Sequence, residues 1–146
     1  MKVEFHVLQI NTLAETLDVV VQRVISVYNT GKTVVILAPE AFAKELDIKL
    51  WQAGEESFIP HFCATSAKDY NTFKNIPILI TDNMFITSGF DELINLMDIP
   101  IDSNKVSIRN LVEFVYQDKK VIENLRKKYV LYKKKLGFDI KTVNYR

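Results

Sequence analysis

Thr33-Val34-Val35-Ile36-Leu37-Ala38-Pro39 is an unbroken run of apolar and β-branched residues closed by a proline. A strand with one wet face alternates polar and apolar residues. This one does not, so it predicts a strand covered on both faces. Pro39 has no backbone donor to lose in the first turn of a helix, and a helix is expected to follow it. There Phe42, Leu46 and Leu50 fall on one stripe, with Trp51 beside them near the end. Upstream, Leu13, Leu17, Val20, Val24 and Val27 recur at spacings of three and four, predicting a helix over 13–30. Thr12 is placed to cap it and Gly31 to end it. Before that, Val3-Glu4-Phe5-His6-Val7-Leu8 alternates as a first strand. Strand, helix, strand, helix at this spacing predicts an α/β chain with right-handed crossovers. The expected architecture is a three-layer α/β/α domain with a mixed, mostly parallel sheet, running as a single domain over 1–146.

The rest of the chain is less regular. Short strands are expected at Phe62-Cys63-Ala64, Pro77-Ile78-Leu79-Ile80 and Leu111-Val112-Glu113-Phe114-Val115, and loops at Ser66 to Asn75 and Asp98 to Asn104. Asp91 to Met97 fits a strand or a short helix equally well. From Asp118 to Leu136 the chain turns helical again, with Ile122, Leu125, Tyr129, Tyr132 and Leu136 as its apolar seam and Gly137 as its stop.

No apolar run approaches the roughly 18 residues a membrane helix needs, and the alternating start has no signal-peptide pattern, so a cytoplasmic location is expected. A single cysteine, Cys63, fits a reducing compartment. The net charge of +1 conceals an uneven distribution: residues 119–146 hold ten Lys/Arg against two acids, leaving that segment at +8 and the remainder at −7. A surface of this kind favours encounter with acidic peptides or phosphate backbones.

Gly31-Lys32-Thr33 looks like the tail of a phosphate-binding loop, but Ser26 stands where that loop needs a further glycine. The tripeptide also ends a helix and opens a strand, whereas phosphates are held where a strand gives way to a helix. The sheet is therefore expected to be Rossmann-like without a phosphate loop. His6 and His61 lack the nearby His or Cys partners of a metal site, and His61 with Cys63 lacks a third, orienting group for nucleophilic catalysis. No cofactor, metal or catalytic residue is expected. By contrast, Arg126, Tyr129 and Lys133 lie at offsets 0, 3 and 7 on one side of the last helix. They could present a cation, a ring and a second cation together, or Tyr129 could pack inward and leave the lysines in water.

Three blocks carry a family resemblance: Leu50-Trp51 followed by Ser57-Phe58-Ile59-Pro60-His61; Glu113-Phe114-Val115 ahead of a basic helix with Arg126, Tyr129 and Tyr132; and the ending Gly137-Phe138-Asp139-Ile140-Lys141-Thr142. In order and spacing the chain resembles the chi subunit family of bacterial DNA polymerase III. That resemblance implies a strand at Asp91 to Met97 and a non-catalytic adaptor in DNA replication. It also implies two docking surfaces. Val115, Arg126 and Tyr129 match positions that receive the acidic, aromatic C-terminal tail of single-stranded DNA-binding protein, with Lys133 added from the spacing above. Trp51, Phe58 and Pro60 match the surface that meets the psi subunit, or another clamp-loader component. DNA would then be contacted mainly indirectly. The chain departs from the family pattern at Ile122 and Val130, where basic residues are expected, and by one extra residue between Tyr132 and Gly137; Lys119, Lys120 and Lys133 are the candidates to compensate. The alternative reading is a direct binder of single-stranded nucleic acid through the same basic helix.

Overall fold

In the computed structural model, residues 2–53, 59–64 and 76–145 are described. Within them the chain runs β1 (Lys2–Val7), α1 (Leu13–Asn29), β2 (Val34–Leu37), α2 (Glu40–Ala53), β3 (Phe62–Ala64), β4 (Ile78–Thr81), β5 (Glu92–Asn95), β6 (Asn110–Val115), α3 (Lys119–Val130) and β7 (Asp139–Asn144). The strands form one seven-stranded sheet in the order β3-β4-β2-β5-β6-β1-β7. Every pairing is parallel. The expected mixed sheet is thus wholly parallel among the described residues, because even the last strand is reached by a helical crossover rather than a hairpin.

The central run behaves as its composition demands: Val34, Val35, Ile36 and Leu37 are all buried. Alternate residues serve opposite layers. Val34, Ile36, Ile80, Ile94 and Val112 pack beneath α1 and α2. Val35, Leu37, Leu79, Leu93 and Leu111 pack on the other face with Tyr132, Leu125 and the loop residues Ile86, Phe90, Ile101 and Val106. The result is the three-layer α/β/α arrangement.

Helix α1 starts where Thr12 caps it: the Thr12 hydroxyl accepts from the Glu15 amide and donates to the Glu15 carboxylate at 2.9 Å. Gly31, at φ 82°, takes the left-handed conformation that lets the chain turn into β2. The ambiguous segment resolves as strand β5, because it is paired on both sides, to β2 and to β6. Strand β7 was not anticipated from the sequence; it pairs with β1 along the whole length of that strand and forms one edge of the sheet. The loop expected at Ser66 to Asn75 lies outside the described residues.

Candidate protein-docking groove

The groove is built on α3, and α3 is anchored from below. Asp118 caps its start by accepting from the Val121 amide. Its inner face is only partly apolar. Glu113, in the middle of the apolar strand β6, is 1% exposed, and Lys128 on α3 is 7% exposed. Burying either charge alone would be costly, and each supplies the other's partner. The Lys128 ammonium donates to Glu113 Oε1 at 2.8 Å and to the Met97 carbonyl at 2.6 Å. The Tyr132 hydroxyl and the Asn95 amide donate to Glu113 Oε2 at 2.8 and 2.9 Å. Tyr132 in turn accepts from the Ile101 amide. Burial, with the Glu113 carboxylate beside it, holds the Tyr132 phenol far above its ordinary value, so it remains an O–H donor. The network joins β5, β6, the loop after β5, and α3.

This changes the expected seam. Leu125, Tyr129 and Tyr132 face the sheet layer as the periodicity implied, but Lys128 joins them and Leu136 is exposed. Leu136 is turned outward because the helix ends in a widened π turn over Leu131–Lys135, closed by Leu136 N–H donating to the Leu131 carbonyl. Such a turn accommodates an extra residue without displacing the next element. Phe138 N–H donates to the Tyr132 carbonyl, and the two rings lie 6.0 Å apart.

Above this anchor Phe5 of β1 touches both tyrosines, 5.8 Å from the Tyr129 ring and 6.2 Å from the Tyr132 ring. Between α3 and strands β1 and β7 lies an open groove of 260 Å³, floored by Phe5, Val7 and Leu125 and flanked by Tyr129, Val130 and Thr142. Arg126 stands on its rim. Among the described residues its guanidinium makes no hydrogen bond or ion pair. Lys133 reaches back over Tyr129, its ammonium 3.0 Å from the hydroxyl and 5.4 Å from the ring centre. Arg126, Tyr129 and Lys133 are therefore together. Val115 is not with them: it is 2% exposed and paired beside Val7 in the sheet.

The other sequence-derived surface lies at the far edge of the sheet. Trp51, in the last turn of α2, is 55% exposed and lies edge-on to His61 with ring centres 4.8 Å apart. Ile48, one turn earlier, and Phe62 on the edge strand β3 are also exposed. Pro60 is half-buried, and Phe58 lies outside the described residues. His61 is held by the Ile59 carbonyl at 2.8 Å from Nδ1. Its Nε2 is 3.0 Å from the Asp47 carboxylate but makes no hydrogen bond among the described residues. Burial pushes the Cys63 thiol up, away from the thiolate a nucleophile needs. Among the described residues no cluster of three or more His, Cys, Asp or Glu could hold a metal, and no described helix is long and apolar enough to cross a membrane.

Periodicity alone missed Lys128 as an inward residue and Glu113 as its partner. One signal was available: an acid inside the run Leu111-Val112-Glu113-Phe114-Val115 demands a donor from another element.

Comparison with solved structures shows the fold. The chain superposes on the Mss116p DEAD-box helicase domain 2 bound to an RNA duplex with a TM-score of 0.65 at 15% identity, covering 97% of this chain and 64% of that one. On T4 UvsW the TM-score is 0.64 at 10% identity, covering 98% of this chain and 41% of that one. The chain thus spans less than two thirds of either helicase chain. Family is decided by sequence. The family model described as DNA polymerase III chi subunit, HolC, matches residues 1–141. A Haemophilus influenzae protein named DNA polymerase III subunit chi is 30% identical over 128 residues, covering 86% of this chain and 85% of that protein. With the basic α3, the Trp51 edge and the first six strands of the sheet all falling inside the length matched by the family model, the chain belongs to the DNA polymerase III chi subunit family, whose role is that of a replication accessory subunit.

Proposed function

We propose that this chain is a non-catalytic, cytoplasmic adaptor. Its Arg126 groove receives the acidic, aromatic-ended C-terminal tail of single-stranded DNA-binding protein. Its Trp51 edge joins psi or another clamp-loader component. The observation that carries the reading is an apolar trough with a guanidinium on its rim that is unpaired among the described residues. A terminal aromatic side chain buries its area in the trough while the terminal carboxylate takes the planar donor fork of Arg126, a charge-assisted pairing that a lysine would not match. Phe5 and Tyr129 supply aromatic walls, and the positive α3 segment attracts the acidic residues that precede the end.

An adaptor of this kind needs no tight single contact. Many identical tails on one coated strand raise the effective concentration, so exchangeable contacts hold the assembly in place. The exposed Trp51 and Phe62 suit a more persistent interface anchored by aromatic side chains.

The test is fluorescence anisotropy of a labelled acidic, Phe-ending peptide at physiological salt, beside the same peptide lacking its last residue and a single-stranded oligonucleotide. Binding of the full peptide alone is expected. Arg126→Ala should weaken it at least about tenfold, the loss of one charge-assisted pairing, while the unfolding midpoint stays in place because Arg126 contacts no described partner. Oligonucleotide binding without peptide binding would instead assign α3 to direct nucleic-acid recognition.

A further inference from the structure

Arg126 borders a second depression. Beyond Arg126 from the apolar groove, toward the start of α3, a polar hollow of 380 Å³ is lined by Gln117, Lys119, Ile122, Glu123 and Arg126. Groove and hollow meet only at Arg126, so along α3 they form one track whose residues recur at helical spacing: Lys119, Ile122 and Glu123, Arg126, Tyr129 and Val130. We propose that the acidic stretch of the bound tail runs through this hollow toward the start of α3, and that Lys119 is the residue that reads it. This deepens the adaptor reading and rests on it.

The lysines do not compete on equal terms. Lys133, at the opposite end of the track, is occupied with the Tyr129 hydroxyl and ring. Lys120 lies one residue from Lys119, on another side of the helix, and lines neither depression. Lys119 lines the hollow and has no ion pair among the described residues. Ile122, between Lys119 and Arg126, gives the track an apolar stretch suited to an uncharged residue of the tail. Glu123 shares the wall, and its charge repels a carboxylate placed beside it, leaving the Lys119 end as the favoured seat.

Geometry sets the register. Seven helical residues separate Lys119 from Arg126, about 10 Å along the axis. An extended peptide advances about 3.3 Å per residue. With the terminal carboxylate on Arg126, the side chain that meets Lys119 therefore lies about three residues before the end.

The experiment uses a series of Phe-ending peptides, each with a single acidic residue placed at a different distance from the end, titrated against the full chain and its Lys119→Gln, Lys120→Gln, Lys133→Gln and Arg126→Ala variants. Lys119→Gln is expected to weaken only the peptide whose acid lies three or four residues before the end, by about threefold to fivefold as for an exposed ion pair. Glu123→Gln should let acids nearer the end bind as well as that one. If Arg126→Ala abolishes binding but Lys119→Gln changes none of the peptides, or all of them equally, the assignment of Lys119 is wrong while the groove stands. A register that follows Lys133 would reverse the proposed direction and overturn the inference. Failure of every peptide to bind the unmodified chain would remove the groove reading itself.

Discussion

Two charged clusters fasten helices to opposite faces of the same sheet, and they do it under opposite conditions. On the α1 face, Arg23 makes a forked contact with Glu92 at 2.6 and 3.1 Å, Asn110 bridges Glu92 and Glu4, and His6 joins Glu4 to Tyr145. This cluster borders an 840 Å³ crevice that also admits Lys2, Lys32 and Arg109. On the α3 face, Lys128 and Glu113 are almost fully buried, with both oxygens of the carboxylate taken, and they border a much smaller cavity of 100 Å³. The wide crevice lets water replace a lost partner in the first cluster more readily than the small cavity does in the second. The helix that carries the proposed docking residues is thus the one held by directional bonds among nearly buried groups, which favour one seating, whereas α1 is held chiefly by its apolar stripe of Leu17, Val20, Val21 and Val24.

The largest expected effect follows from that burial. Glu113→Ala leaves the Lys128 ammonium buried without its counter-charge and strips Tyr132 and Asn95 of their acceptor, a loss of about 3–5 kcal/mol of folding stability. Paired replacement by apolar residues, Glu113→Leu with Lys128→Met, should recover most of that loss in urea unfolding. If seating is the network's purpose, the double variant will be stable yet bind the tail peptide less well than the native chain. Recovery of stability together with full affinity would show that packing alone positions Tyr129.

The wet cluster should respond less. Arg23→Ala removes a charge-assisted pair from Glu92, about 2 kcal/mol, but the crevice lets water reach the carboxylate, and Asn110 still donates to it. Half-molar salt should shrink the difference between native and variant chains here and leave the Glu113 effect nearly unchanged, since screening acts on accessible charges. Equal salt sensitivity at the two sites would erase the distinction between them.

The same contrast explains what could be read from the sequence. The strands around Val34 to Leu37 and the α1 stripe were legible because burial of a whole face imposes a period on neighbouring residues. Strand β7 was not, since an edge strand with only Ile140 and Val143 partly covered carries little pattern. Arg126, Tyr129 and Lys133 could be placed on one side of α3 by counting, but the groove floor could not, because Phe5 and Val7 are more than a hundred positions away in the chain and meet α3 only through the sheet. Val115 has the right place in the order of motifs, yet its side chain is spent on the core. Glu113 and Lys128 are the clearest case: each looks like a surface residue on its own, and only the fold makes them a pair.

The smallest predicted effect is one of pH, confined to the wet cluster. Burial holds His6 below the ordinary imidazole value of 6.5, against the raising pull of its hydrogen bond to Glu4. The partners agree with a neutral ring: Nε2–H donates to the Glu4 carboxylate at 3.1 Å, and Nδ1 accepts from the Tyr145 hydroxyl at 2.8 Å. Below pH 6.5 the unfolded chain takes up a proton at this position that the folded chain refuses. The stabilising contribution is fully present above that value and is lost as pH falls toward the folded pKa. The slope from this one group cannot exceed about 1.4 kcal/mol per pH unit. Urea unfolding at pH 7.5 and pH 5.5 should therefore show a native chain that weakens on acidification and a His6→Gln variant whose stability changes less over the same interval. The Phe-ending peptide, whose proposed groove lies on the opposite face, should show no matching change for His6→Gln relative to the native chain, because neither Glu113 nor Lys128 contacts the imidazole.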